Sequence, residues 1–149
     1  TASRKSSVAK LAFFSPADAI HPILPFYSSL ISAGFPSPAD DHLQNKLDLN
    51  AHLVKHPAAT FFVRVQGESM RDANVHDGDI LVVDKAEPAT HNKIVVAVLN
   101  GEYVCKRLYK RGGVIRLLPE NPAFKPIEIT EDMDFEIWGV VTHILHQAR

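Results

Sequence analysis

The feature that most constrains the fold is a series of short β-rich runs that begins at residue 61. The runs are rich in β-branched and aromatic residues, which favour strands, and glycine-containing turn signals separate them. Asn100-Gly101 is a strong two-residue hairpin signal that joins 94–99 to 102–109. We therefore predict a mostly antiparallel β domain over residues 58–149. The predicted strands are 61–65, 80–83, 94–99, 102–109, 114–118 and 135–145.

The first 36 residues have a different pattern. Six of the ten prolines lie in the first 57 residues, where they remove backbone donors and push preceding residues toward extended conformations. Residues 1–36 are therefore predicted to be a mobile N-terminal arm. Because Leu24, Phe26 and Phe35 are too apolar for a solvated linker, we expect the arm to dock on the β domain.

A short helical linker is predicted over residues 37–57. Ser37 is a good helix N-cap, and the helix that it would begin places Leu43 and Leu47 on one face. Asp48 can cap a second helical turn, which must end before Pro57.

Composition limits the classes of function. The length of 149 residues is that of one domain. A net charge of −1 argues against non-specific electrostatic binding to nucleic acid. Cys105 is the only cysteine, so the sequence has no internal disulfide. We interpret it as a small hydrophobic side chain that packs in the core. No apolar run approaches the ~20 residues of a membrane span, and no signal-peptide core follows the basic start. We expect a cytoplasmic protein with no membrane partner.

Ser69 is the first candidate for chemistry. It lies just past a predicted strand, and Gly67 allows the close approach of a substrate. A serine there can be a nucleophile whose own backbone N–H helps to bind an oxyanion. Taken alone, the segment is explained more simply by a serine in a surface turn. Arg71 occupies the last glycine position of a G-x-S-x-G elbow, so that motif is absent.

Lys106 is the second candidate. Strand alternation places it on the same face as Val104 and Leu108, with Arg107 facing solvent. Desolvation between two apolar neighbours lowers the pKa of a lysine, which then serves as a general base near neutral pH. The alternative is an edge-strand lysine whose amine extends to water.

The histidines offer weaker alternatives. His76, Asp77 and Asp79 could form a Ser-His-Asp arrangement with Ser69, but β-turn chemistry explains the Asp-Gly-Asp segment without catalysis. His143 and His146 lack metal-ligand spacing with other candidates, and neither an H-E-x-x-H nor a paired-cysteine motif occurs. We predict no metal and no cofactor.

Several segments together carry a family resemblance, which runs from about residue 25 to residue 146. The segments are 32–39 (SAGFPSPA), 67–70 (GESM), 77–84 (DGDILVVD), 101–108 (GEYVCKRL), 117–124 (LLPENPAF) and 137–141 (IWGVV). They resemble the LexA/UmuD family of self-cleaving serine peptidases, the S24 type. The resemblance implies a curved, mostly β, antiparallel sheet of the LexA/signal-peptidase-like type, with a mobile N-terminal arm and a short helix.

The resemblance also implies roles for individual residues. Ser69 would be the nucleophile and Lys106 the neutral general base. The backbone N–H groups of Ser69 and Met70 would bind the oxyanion, and the bond between Ala33 and Gly34 would be cut.

The branch of the family decides the expected biology. Only 33 residues precede Gly34, and they are broken by prolines, so we expect no helix-turn-helix domain and favour the UmuD-like branch. That branch implies an accessory subunit of an error-prone translesion polymerase, activated in the SOS response. The implied partners are a second copy of the chain, a RecA–single-stranded-DNA filament, a Y-family polymerase subunit of the UmuC type and the sliding clamp, without direct sequence-specific DNA binding.

Two alternatives stay open at this point. The chain could be an interaction module in which the arm docks and cleavage never occurs. It could be the C-terminal domain of a LexA-type repressor. A signal peptidase of the same Ser-Lys type would need a membrane anchor, and we expect none here.

Overall fold

The computed structural model describes residues 23–27, 34 and 43–149. Within those ranges no helix has the length and hydrophobicity of a membrane span. Two single-turn 3-10 helices, Pro57–Ala59 and Arg71–Ala73, interrupt the loops. The regular elements are β1 (Ile23–Tyr27), β2 (Leu43–Asp48), α1 (Leu49–Leu53), β3 (Thr60–Arg64), β4 (Ile80–Asp84), β5 (Ile94–Leu99), β6 (Glu102–Arg111), β7 (Val114–Leu118), β8 (Ile127–Glu128) and β9 (Phe135–Leu145).

Seven of these strands form one antiparallel sheet in the order β3-β4-β9-β5-β6-β7-β8. This confirms the predicted antiparallel β domain, including the hairpin between β5 and β6. The turn of that hairpin is formed by Asn100 at φ 49° and Gly101 at φ 82°. Two successive positive φ angles match the twist of the flanking strands, which is why Asn-Gly is favoured there.

The apolar side chains of the sheet form two core clusters. Neighbouring residues of β5, Val95 and Val96, belong to different clusters, so the clusters lie on opposite faces of the sheet. The first cluster contains Met70 and therefore extends under the loop that carries Ser69. The second contains Leu108, two residues beyond Lys106 on β6.

The segment before the β domain differs from the sequence prediction. Leu43 and Leu47 were expected on one face of a helix, but they lie in β2, which pairs antiparallel with β1 from Ile23 opposite Asp48 to Tyr27 opposite Leu43. Backbone pairing with β1 outweighs the local helix signals. The second expected turn is present as α1, and Asp48 caps it by accepting a hydrogen bond from the Ala51 N–H.

The predicted arm therefore contains a strand. Pro25 is accommodated in β1 because a two-stranded sheet leaves one edge of each strand without a ladder partner. Leu24 and Phe26 are 59% and 39% exposed, so the structure does not bury them against the β domain as expected. Phe35, the third residue of that prediction, lies outside the described residues.

Candidate active site

Ser69 lies on a tightly turned loop between β3 and β4. Gly67 has φ +94°, a conformation that residues with a Cβ rarely adopt, and its N–H donates to Asp77 Oδ1 at 2.8 Å. The side chain of Met70 is buried in the first core cluster, which fixes the residue after Ser69. The 3-10 turn Arg71–Ala73 follows. The loop is thus anchored on both sides of the serine.

A second segment, residues 118–122 after β7, holds the same loop. The Glu120 N–H donates to the Ser69 carbonyl, and the Asp72 N–H donates to the Glu120 carbonyl, both at 2.8 Å. The buried Asn121 donates through Nδ2 to the Glu68 carbonyl, also at 2.8 Å. Three hydrogen bonds therefore fix the backbone around Ser69 from outside its own loop.

Lys106 comes to this loop from β6. Its Nζ donates to Ser69 Oγ at 2.7 Å, although the residues are 37 positions apart. Burial lowers the pKa of the Lys106 ammonium below its ordinary 10.5, against a smaller opposite effect of Cys105. A lysine whose neutral form is favoured can accept the hydroxyl proton of the serine that it contacts.

The backbone N–H groups of Ser69 and Met70 are the candidate oxyanion donors. In the part of the chain that the structure describes, neither the Ser69 N–H nor the Met70 N–H donates to another protein atom. Donors of this kind can stabilise a developing oxyanion because they are already oriented. Both residues were assigned this role from the family resemblance.

A small cavity adjoins the serine and the lysine. It has a volume of about 150 Å³. Apart from Ser69 and Lys106, much of its lining is apolar, including Val63, Val65, Met70, Leu81 and Val96. A cavity of this size and lining can receive an apolar side chain.

Arg107 does not simply face solvent as expected. Its Nε donates to Glu120 Oε1 in an ion pair, and its Nη1 donates to the Asn92 carbonyl at 2.8 Å. Sequence reasoning missed Glu120 and Asn121 as site residues. The only sequence signal for these two residues was the segment 118–121 (LPEN), which is one of the segments that carry the family resemblance.

The alternative Ser-His-Asp arrangement is not assembled. Ser69 Oγ contacts Lys106, whereas buried Asp79 accepts from His146 Nδ1 at 2.6 Å and from the His76 backbone N–H at 2.8 Å. Burial acts to raise the pKa of Asp79, but these hydrogen bonds and the nearby histidines lower it overall. The carboxylate therefore joins the start of β4 to the end of β9.

Cys105 lines the cavity but has the properties of a packed residue. Burial raises the pKa of its thiol from 9.0 to about 11, against the opposing effect of Lys106. The thiol is therefore protonated at neutral pH and is a weak nucleophile.

One group of side chains has the composition of a metal site. His56, Asp84 and Glu87 offer ligand atoms within 4.8 Å of one another. However, His56 Nδ1 lies 2.5 Å from Asp84 Oδ2, and Asp84 Oδ1 accepts from the Ala86 N–H. The His56–Asp84 contact is explained as a hydrogen bond that fixes the entry to β3 against the end of β4.

The expected scissile bond is described only in part. Gly34 lies in an exposed bend, and Ala33 lies outside the described residues. The assignment of this bond stays a prediction from the resemblance.

Comparisons with known proteins bear on the family. The model of the peptidase S24-like family matches residues 25–142. Protein MucA of Salmonella typhimurium is 48% identical over 132 residues, which cover 88% of this chain and 89% of MucA. Protein ImpA of Escherichia coli is 42% identical over 133 residues, covering 85% and 86%. The LexA repressor of Bordetella avium is 38% identical over 121 residues, covering 78% of this chain and 56% of the repressor.

The family match spans most of the chain, and the alignment with MucA extends over nearly the whole of both proteins. The resemblance found from the sequence is thereby confirmed. The chain belongs to the peptidase S24-like family, on the UmuD-like branch that includes MucA and ImpA.

Proposed function

We propose that the protein is a self-cleaving serine peptidase that cuts its own chain between Ala33 and Gly34. Ser69 is the nucleophile and Lys106 the general base. The observation that carries the proposal is the 2.7 Å contact between Lys106 Nζ and Ser69 Oγ, made by a lysine whose burial favours the neutral amine. A lysine held in this way is poorly suited to a purely structural role, because burying an ammonium costs stability.

We propose the following reaction for these groups. Neutral Lys106 takes the Ser69 proton as Oγ attacks the Ala33 carbonyl carbon. The N–H groups of Ser69 and Met70 stabilise the resulting oxyanion, and each such donor is worth about 3 kcal/mol in other enzymes. The Lys106 ammonium then protonates the leaving Gly34 amine. Lys106 finally activates a water molecule that hydrolyses the acyl-enzyme.

The biological role that we propose rests on the family. We place the protein in the SOS mutagenesis response, as a cytoplasmic homodimer that serves an error-prone translesion polymerase after losing its arm. A RecA–single-stranded-DNA filament is the proposed stimulus, and a Y-family subunit of the UmuC type and the sliding clamp are the proposed polymerase-side partners. MucA and ImpA, which cover most of this chain, support this branch over a repressor.

Cleavage is tested by incubating the purified protein with RecA, single-stranded DNA and nucleotide and measuring intact masses. We expect one cut, between Ala33 and Gly34, in the native chain and none in Ser69→Ala. Lys93→Ala, which removes an exposed lysine from the same domain, is the matched control and should cleave normally. An uncut native chain would favour a non-cleaving interaction module.

A further inference from the structure

An ion pair connects the strand that carries Lys106 to the segment that holds Ser69. Arg107 Nε donates to Glu120 Oε1, and the same guanidinium donates to the Asn92 carbonyl. The side chains of Arg107 and Glu120 are 29% and 31% exposed, so the pair is partly shielded from water. A guanidinium fixed at two points gives a more rigid contact than a surface ion pair.

The backbone of Glu120 contacts the nucleophile loop directly. Its N–H donates to the Ser69 carbonyl, and its own carbonyl accepts from the Asp72 N–H. Glu120 therefore holds the loop at two points that flank Met70. A displacement of Glu120 moves the Ser69 backbone with it.

Lys106 immediately precedes Arg107 on β6, and Glu120 bonds to the Ser69 backbone. The Arg107–Glu120 ion pair therefore connects the strand of the proposed base to the loop of the proposed nucleophile. We infer that Arg107 and Glu120 are positioning residues that keep Ser69 Oγ aligned with Lys106 Nζ. This inference rests on the proposed function. Alignment matters because a displacement of about 1 Å at a reacting group can cost about a hundredfold in rate.

The chain contains a matched pair that lacks this connection. Arg116 Nε donates to Glu128 Oε1 at 3.1 Å, joining β7 to β8 in the same sheet. The Arg116 guanidinium also lies over the Tyr109 ring, away from the nucleophile loop. Arg116→Gln therefore removes a similar Arg–Glu contact without touching the Ser69 loop.

The test uses the full chain without an activator and follows two rates. One is self-cleavage at pH 8 and pH 10, and the other is labelling of Ser69 by a fluorophosphonate, which does not depend on the arm. Arg107→Gln and Glu120→Gln should each slow both rates about tenfold. The factor should be the same at both pH values, because the ion pair acts on the position of Ser69 and not on the proton of Lys106. Arg116→Gln should react as the native chain does.

The double variant Arg107→Gln/Glu120→Gln tests whether the two residues act through their mutual ion pair. If the two residues act through their ion pair, the double variant should be about tenfold slow, like each single variant. Native rates in the single variants, or a hundredfold loss in the double variant, would overturn the inference. A native chain that neither cleaves nor labels would instead overturn the proposed function. Melting temperatures measured alongside ensure that rates are compared between folded proteins.

Discussion

At the scale of single residues, Lys106 combines a hydrogen bond to Ser69 with a partly desolvated amine. Its pKa is lowered below the ordinary 10.5, so the neutral, reactive form becomes abundant at a lower pH than in an exposed lysine. Self-cleavage without an activator should accelerate as the pH rises, with a midpoint below pH 10.5. The measurement is the initial rate of cleavage from pH 7 to pH 11.

Self-cleavage of the Lys106→Ala variant should be at least about a thousandfold slower than that of the native chain at every pH. Losses of this size are typical when one member of a catalytic unit is removed. A flat profile in the native chain would contradict a lysine base. A midpoint at or above 10.5 would contradict the desolvation of Lys106.

Ser69 and Lys106 could be named as candidates from the sequence because each lies in a recognisable local pattern, a glycine-containing loop and an alternating strand. Their contact could not be derived from spacing alone and entered through the family resemblance. Glu120 and Asn121 were not predicted as site residues. They form hydrogen bonds with backbone carbonyl and N–H groups about 50 positions earlier in the chain. Such contacts produce no periodic pattern and no distinctive composition by which a single sequence could reveal them.

At the scale of elements, Gly139 shows how closely β9 approaches β4. A Cβ at position 139 would lie 2.7 Å from Val83 Cγ1 and 3.1 Å from the Asp84 carbonyl oxygen. Gly139→Ala should therefore destabilise the fold by about 1–3 kcal/mol through overpacking. The measurement is urea unfolding in the Ser69→Ala background.

Gly34→Ala is the matched control for that measurement, since Gly34 is exposed and a Cβ there would meet none of the described residues within 4 Å. Its stability should stay unchanged. Equal effects of the two substitutions would contradict the close packing of β4 and β9.

The Asp79–His146 contact joins the start of β4 to the end of β9. Because the pKa of Asp79 is lowered in the folded state, its carboxylate contributes stability above the ordinary value of 3.8, and that contribution is lost as the pH falls further. Asp79→Asn should cost about 1–3 kcal/mol at pH 7, and this cost should be smaller at pH 3. Unfolding by urea at both pH values measures this.

Asp134→Asn, at an exposed carboxylate, is the control and should be nearly neutral at both pH values. An equal loss for Asp79→Asn at pH 7 and pH 3 would mean that the ionised carboxylate is not the source of the stability.

The strands of the β domain could be predicted because β-branched runs and Asn-Gly or Gly-Gly turns coincide there. β2 could not be predicted, since its Leu43 and Leu47 have helical spacing and the strand exists by pairing with β1. β8 was also missed. It has two residues, follows Pro126, and is defined by its pairing with β7 rather than by its own composition.

At the scale of the whole molecule, the sheet brings together segments that are far apart in sequence. The loop after β3 supplies Ser69, β6 supplies Lys106, and the segment after β7 holds the serine loop in place. Residues of one strand and of the segments that follow two others thus meet at one site. The proposed substrate is the N-terminal part of the same chain, so the domain and its substrate form one molecule.

The central claim is that this chain cuts itself with Ser69 and Lys106, and the most direct test is the intact mass of the purified protein after incubation alone at pH 10. The account predicts two products from a single cut between Ala33 and Gly34. It predicts only the full-length mass for Ser69→Ala and Lys106→Ala. A native chain that stays whole, or either variant cut at the native rate, would contradict it.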